Sequence, residues 1–123
     1  MTTEYISPTT ISKLNDYIKT IPESIMQNWQ KKSQQVYAAI VVVQTKRGLD
    51  YVPGVNVEVS LPTGSLCAER SAIASAVAKY PYIEHKDFIE FYVKQIYPEN
   101  KKAEPCGVCK EWISKIFYKN NFQ

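Results

Sequence analysis

The segment GVNVEVSLPTGSLCAERSAI, Gly54 to Ile73, places a cysteine two residues before a glutamate where an alanine-rich helical pattern begins. On a regular helix, residues at i and i+2 point away from one another. Cys67 and Glu69 can therefore face one site only if Cys67 lies at or before the helix cap, where the backbone is not yet helical. The preceding Pro62-Thr63-Gly64-Ser65 loop makes such an entry plausible.

Downstream, LCAERSAIASAVAKY from Leu66 to Tyr80 carries Ala68, Ala72, Ile73, Ala76, Val77 and Tyr80 on one helical face, and Pro81 stops it. Phe88 to Tyr97 reads as a strand reached through that helix, and is expected to run parallel to its neighbour. From Pro105 a last helix follows, with Cys109, Trp112, Ile113, Ile116 and Phe117 as its apolar stripe.

Upstream, VYAAIVVVQT from Val36 to Thr45 is too apolar for a one-faced strand and suits a sheet covered on both sides. Lys46-Arg47-Gly48 reads as a turn, and Leu49 to Val59 as the return strand of a hairpin. Pro53 confines that strand to an edge or a bulge. The N-terminal third reads as a helix from Thr9 to Thr20, capped by Thr9 or Thr10. A second helical piece follows with Pro22 at its first position and Ile25, Met26 and Trp29 turned inward.

The chain has 123 residues, 45% hydrophobic and 22% charged, which bounds the answer to one globular domain over 1–123. No apolar run approaches the roughly 20 residues needed to cross a bilayer, and MTTEYISPTT lacks the pattern of a secretory leader. The expected compartment is cytoplasmic, with no membrane partner. A net charge of +3 spread over scattered lysines is a weak argument for nucleic acid, which is not the expected partner.

Three cysteines, an odd number, in a chain read as cytoplasmic argue against a disulfide framework and for metal binding or thiol chemistry. All three fall at helix starts: Cys67 in "CAE", and Cys106 and Cys109 in "PCGVC". Positions i and i+3 share a helical face, so Cys106 and Cys109 can grip one ion, and helix N-termini favour thiolates. Three thiolates on Zn²⁺ leave a fourth position open, as in catalytic sites. Taken without "CAE", the Cys pair would read as structural zinc, with His85 or another residue as the fourth ligand.

"CAE" followed by "PCGVC" resembles the signature of the zinc-dependent cytidine deaminase family. "GVNVE" resembles that family's G-C-N-x-E segment, at the same distance of eleven positions from Asn56 to Cys67. The resemblance spans about two thirds of the chain, from the first strand to the last helix. It implies a three-layer α/β/α cytidine deaminase-like fold with a mixed sheet, an N-terminal β-hairpin and zinc ligands at two helix N-termini. It further implies hydrolytic conversion of a cytidine-type nucleoside to the uridine type, a reaction of pyrimidine salvage.

By that resemblance Cys67, Cys106 and Cys109 hold one zinc ion per subunit. Glu69 shuttles a proton from the zinc-activated water to the pyrimidine. Asn56 and Glu58 bind the ribose hydroxyls, the Ala68 backbone N–H contacts the pyrimidine carbonyl, and Arg70 hydrogen-bonds the zinc sulfurs. The implied partners are a small-molecule nucleoside and further copies of the chain, as dimer or tetramer. Two departures stand out. Where the family flanks the base with an aromatic residue this chain has SQQVYAA, with Gln34 near that position. The family also continues for two strands beyond the second zinc helix, so either a longer protein or a second subunit is expected to cover the sheet edge. The departures keep two alternatives open: deamination of another aminated nucleoside, an antibiotic or an RNA base, or a non-catalytic zinc domain in an assembly.

Overall fold

The computed structural model describes residues 6–30, 33–58, 65–103 and 107–117. The run Val36–Thr45 forms the central strand β1, buried along nearly its whole length. Gly48–Val55 (β2) returns beside it, pairing from Thr45↔Gly48 to Ala38↔Val55. On the other side of β1 lies Phe88–Tyr97 (β5), and outside that the short Lys101–Lys102 (β6), giving the order β2-β1-β5-β6. A separate two-stranded arm, Val57–Glu58 (β3) with Ser65–Leu66 (β4), leads into the helix Ala68–Lys79 (α3).

Alternation along β1 builds the three layers. Ala38 and Ile40 face Leu14 of Pro8–Ile18 (α1). Ala39, Val41 and Val43 face Ala72, Ile73 and Ala76 of α3, together with Ile113 and Phe117 of Gly107–Phe117 (α4). The three-layer α/β/α reading therefore holds, with the hairpin and helix stripes as the periodicity predicts.

Several details differ from the sequence reading. Every strand pairing among the described residues is antiparallel, where a mixed sheet was expected. The α3 crossover carries the chain past β1, so β5 runs in the direction of β2 but pairs with β1. The most apolar strand thus gains a partner on both edges, and Pro53 stays on the edge strand as its missing N–H requires. The return strand ends at Val55 rather than Val59, because Asn56 leaves the ladder. β6 covers the outer edge of β5 at Lys94 and Gln95.

Helix α1 is capped by Ser7, whose hydroxyl accepts from the Thr10 N–H at 3.3 Å, with Pro8 as the first helical residue. The second helical piece is only Ile25–Trp29 (α2), starting after Ser24 and not at Pro22. That shift turns Trp29 outward, 48% exposed, and buries Gln30 completely. Val77, expected inward, is also exposed. No described helix is long and apolar enough to cross a membrane.

Helix α3 lies directly on β2. A Cβ at Gly54 would stand 2.4 Å from the Ala72 nitrogen and 2.8 Å from the Ala68 carbonyl oxygen, so only glycine permits this backbone-to-backbone contact. At the other end of the helix, Asp50 of β2 accepts from the Tyr80 hydroxyl and pairs with Lys79 Nζ at 3.0 Å. The Tyr80 hydrogen bond, with the Lys79 ammonium, holds the Asp50 carboxyl below its ordinary range.

Two outcomes are expected. Gly54→Ala should lower unfolding stability by about 1–3 kcal/mol through overpacking, read by urea denaturation; wild-type stability would contradict the contact. Because the folded-state pKa of Asp50 is depressed, its contribution is present above the unfolded carboxylate pKa and fades as pH falls through the folded value. Asp50→Asn should therefore destabilise the protein at pH 7 and make little difference in strong acid, and an equal loss at both pH values would refute the assignment.

Candidate functional site

Cys67 is the N-cap of α3, with φ −71° and ψ 157°, and its carbonyl accepts the Ser71 N–H at 3.0 Å. The extended cap is what lets Cys67 and Glu69 face the same space, as the two-residue spacing demands. They line a cavity of about 240 Å³ together with Asn56, Glu58 and Ala68. The start of β1, the residue that follows β2, the β3–β4 arm, the first turn of α3 and Val93 of β5 thus meet at one cavity.

Glu69 is only 5% exposed. Burial pushes its carboxyl above the ordinary range, against the opposing pull of its own backbone N–H, the Cys109 thiol and the Arg70 charge. A carboxyl whose proton affinity is raised in this way is better suited than a solvated one to taking up and passing on a proton. Ala68, buried as the first residue of α3, has a backbone N–H among the four that a helix leaves without an internal partner.

Arg70 joins the two described thiols. Its Nη2 donates to Cys67 Sγ at 3.5 Å, and its pKa is raised first by Cys67 and also by Cys109. The guanidinium also lies over the Trp112 ring, 5.9 Å from its centre. Cys109 is buried in the first turn of α4, beside Glu69 and Arg70.

Two thiols from two helix starts, with one cation against both and a buried carboxyl beside them, are donors of the kind that zinc takes. Among the described residues no group of three His, Cys, Asp or Glu side chains is close enough to hold a metal. Cys106, the third ligand that the resemblance implies, lies outside the described residues, as does the Pro62-Thr63-Gly64 stretch.

Asn56 is buried, and its side chain is engaged with the backbone. Its Oδ1 accepts the Tyr37 N–H at 2.9 Å and its Nδ2 donates to the Gln35 carbonyl at 3.0 Å. Among the described residues these two bonds use one N–H and one lone pair of the amide, which has a second of each. Glu58 Oε1 accepts the Ser33 N–H at 3.0 Å. His85, the alternative ligand, lies in a short 3₁₀ turn, Glu84-capped, between α3 and β5, and does not line this cavity.

The sequence reading placed Gln34 at the wall where the base would lie. The cavity is instead lined by Gln35 and Tyr37, along with Ser33. Gln34 takes a left-handed φ of 58°, a chain reversal just before β1, and from there strand alternation presents residues 35 and 37 on one side. The Tyr37 hydroxyl donates to Gln35 Oε1 at 3.2 Å. The i, i+2 relation of Gln35 and Tyr37 at the head of a strand was the available signal. The φ at Gln34 that sets its phase carries no mark in the sequence.

Comparison with known proteins agrees with this geometry. Residues 7–101 match the LmjF365940 subfamily of CDD/CDA-like deaminases, a match that ends before Cys106 and Cys109. A cytidine deaminase of Mycoplasma genitalium is 44% identical over 62 residues, covering 47% of this chain and 41% of that protein. The chain thus matches well under half the length of that relative. Among solved structures, the cytidine deaminase of Burkholderia pseudomallei superposes with a TM-score of 0.61 at 21% identity, covering 89% of this chain and 76% of that one. The cytidine deaminase of Mycobacterium tuberculosis gives 0.56 at 19% identity, covering 76% and 68%. At these identities the structures establish a shared fold. With the sequence match over most of its length, and an extended cap that brings a cysteine and a buried glutamate into one cavity, the chain belongs to the CDD/CDA-like deaminase family.

Proposed function

We propose that this chain is a zinc-dependent deaminase that hydrolyses a cytidine-type nucleoside to the uridine type. The observation that carries the reading is the placement of Cys67 at an extended helix cap, so that a thiol and the buried carboxyl of Glu69 share one cavity with Asn56 and Glu58.

In this reading Cys67, Cys106 and Cys109 hold one zinc ion per chain. Bound zinc would supply Lewis acidity that lowers the pKa of a water to about 7. Glu69 Oε carries the proton from the attacking water to the ring nitrogen and then to the departing ammonia, and its raised pKa suits both transfers. The Ala68 N–H, fixed at the helix start, orients the pyrimidine carbonyl. The second N–H of Asn56 donates to a ribose hydroxyl oxygen, and the Glu58 carboxylate accepts from a ribose hydroxyl. Three thiolates donate strongly to the metal, and the Arg70 guanidinium, already against Cys67, draws part of that charge back. The apolar part of the wall, Leu66 and Val93, offers no partner to competing water.

A homo-oligomer, dimer or tetramer, completes the proposal, since β6 is only two residues long and a second copy would extend the cover over β5. A second reading is favoured by Gln35 and Tyr37. A carboxamide and a phenol at the wall admit an aminated nucleoside other than cytidine itself, with a polar substituent facing them.

Three outcomes test the proposal. Zinc-loaded protein should release ammonia from cytidine or deoxycytidine, and should lose that activity to a chelator and regain it with added zinc; activity indifferent to chelation would defeat the metal assignment. Glu69→Gln should keep its zinc while turnover falls by about 10²–10⁴, and an active variant would remove Glu69 from the mechanism. If cytidine is inert while another aminated nucleoside turns over with the same dependence on Glu69, the second reading replaces the first.

A further inference from the structure

The arm formed by β3 and β4 carries Glu58 at one end and leads into Cys67 at the other, yet it belongs to a separate sheet from β1 and β2. The main ladder ends at Ala38↔Val55. What ties the arm to the rest of the protein at this point is Asn56. Its side chain grips the backbone of Gln35 and Tyr37, while its own backbone N–H makes only a long 3.4 Å contact with the Tyr37 carbonyl. The Asn56 carbonyl is held by a side chain from elsewhere: Gln30 Nε2 donates to it at 2.6 Å.

Gln30 directly follows α2 and is completely buried. Its Oε1 is also buried and has no hydrogen-bond partner among the described residues. A buried amide satisfied on one side only is a poor choice for plain packing, since an apolar residue of similar size would avoid the desolvation penalty. Its one bond goes to the residue on which the cavity wall turns.

We propose that Gln30 is a positioning residue for substrate binding. By fixing the Asn56 carbonyl it sets where Asn56 and Glu58 stand and how Gln35 and Tyr37 form the facing wall, without touching the substrate itself. The inference rests on the deaminase reading for its kinetic consequence and on geometry alone for its structural one. Gln30 is not among the residues that line the cavity with Cys67 and Glu69, and its side-chain bond goes to Asn56, so removing its amide disturbs the nucleoside grip and leaves the proton chemistry and the metal in place.

The test uses Gln30→Met, which keeps the length and removes the donor, and Gln30→Asn, which keeps the amide and shortens its reach. In the zinc-loaded enzyme each should raise KM for the nucleoside about tenfold, the scale of one lost buried hydrogen bond, with kcat within about twofold and zinc content unchanged. An unchanged KM, or a kcat that falls in step with zinc loss, overturns the proposal. Amide hydrogen exchange is read on the same variants whatever the substrate proves to be. The Tyr37 and Ser33 N–H groups, which donate to Asn56 and Glu58, should exchange faster while Val41 and Val43 stay protected. Exchange that is unaltered, or loosened across all of β1, refutes it, as would failure of both variants to fold. If the wild type does not deaminate but the exchange result holds, the deaminase reading fails and the positioning role stands.

Discussion

The constraint on which the structure depends is that Cys67 must stay out of the helix it begins. Were α3 to start one turn earlier, Cys67 and Glu69 would both be helical and would point to opposite sides. The chain meets the constraint from both directions. Upstream, the β3–β4 arm delivers Cys67 in an extended conformation. Downstream, Gly54 lets α3 settle backbone to backbone on β2, so the first turn of the helix cannot slide along the sheet. The Asp50–Tyr80–Lys79 group then ties down the far end of the same helix.

From that placement the electrostatics follow. A carboxyl in the first turn of a helix is favoured by the macrodipole, but Glu69 is also buried, and burial is the larger effect on its proton affinity. The nearby cation acts mainly on the thiols and only as the least of the pulls on the carboxyl, because Arg70 is one residue further round the helix and reaches back to Cys67. Two neighbouring residues thus serve different groups: one is kept ready for a proton, the other offsets thiolate charge.

Much of this was legible in the sequence. The cap position of Cys67 follows from the i, i+2 spacing alone, and the double-sided burial of β1 from eight apolar residues in a row. The stripes of α3 and α4 could be read at helical period apart from Val77. What could not be read were features set by tertiary contact. The strand order depends on α3 passing over β1, which leaves no local trace. The break at Asn56 depends on side chains that outbid the ladder for its backbone. The inward turn of Gln30 in place of Trp29 comes from where a five-residue helix happens to start. The wall residues were misassigned by one position, Gln34 for Gln35, because a positive φ reset the strand phase. On the cavity itself the difference lies in the wall before β1, which a contact pattern and not a motif determines.

The central claim is a zinc ion held by cysteines with one position open beside Glu69. X-ray absorption at the zinc edge of the zinc-loaded protein tests it most directly. The account predicts three sulfur neighbours at about 2.3 Å and a single lighter neighbour at about 2.0 Å, with the lighter neighbour supplied by solvent and so exchanged by an added anionic ligand. A fourth protein ligand, whether sulfur or imidazole, would close the site and contradict it.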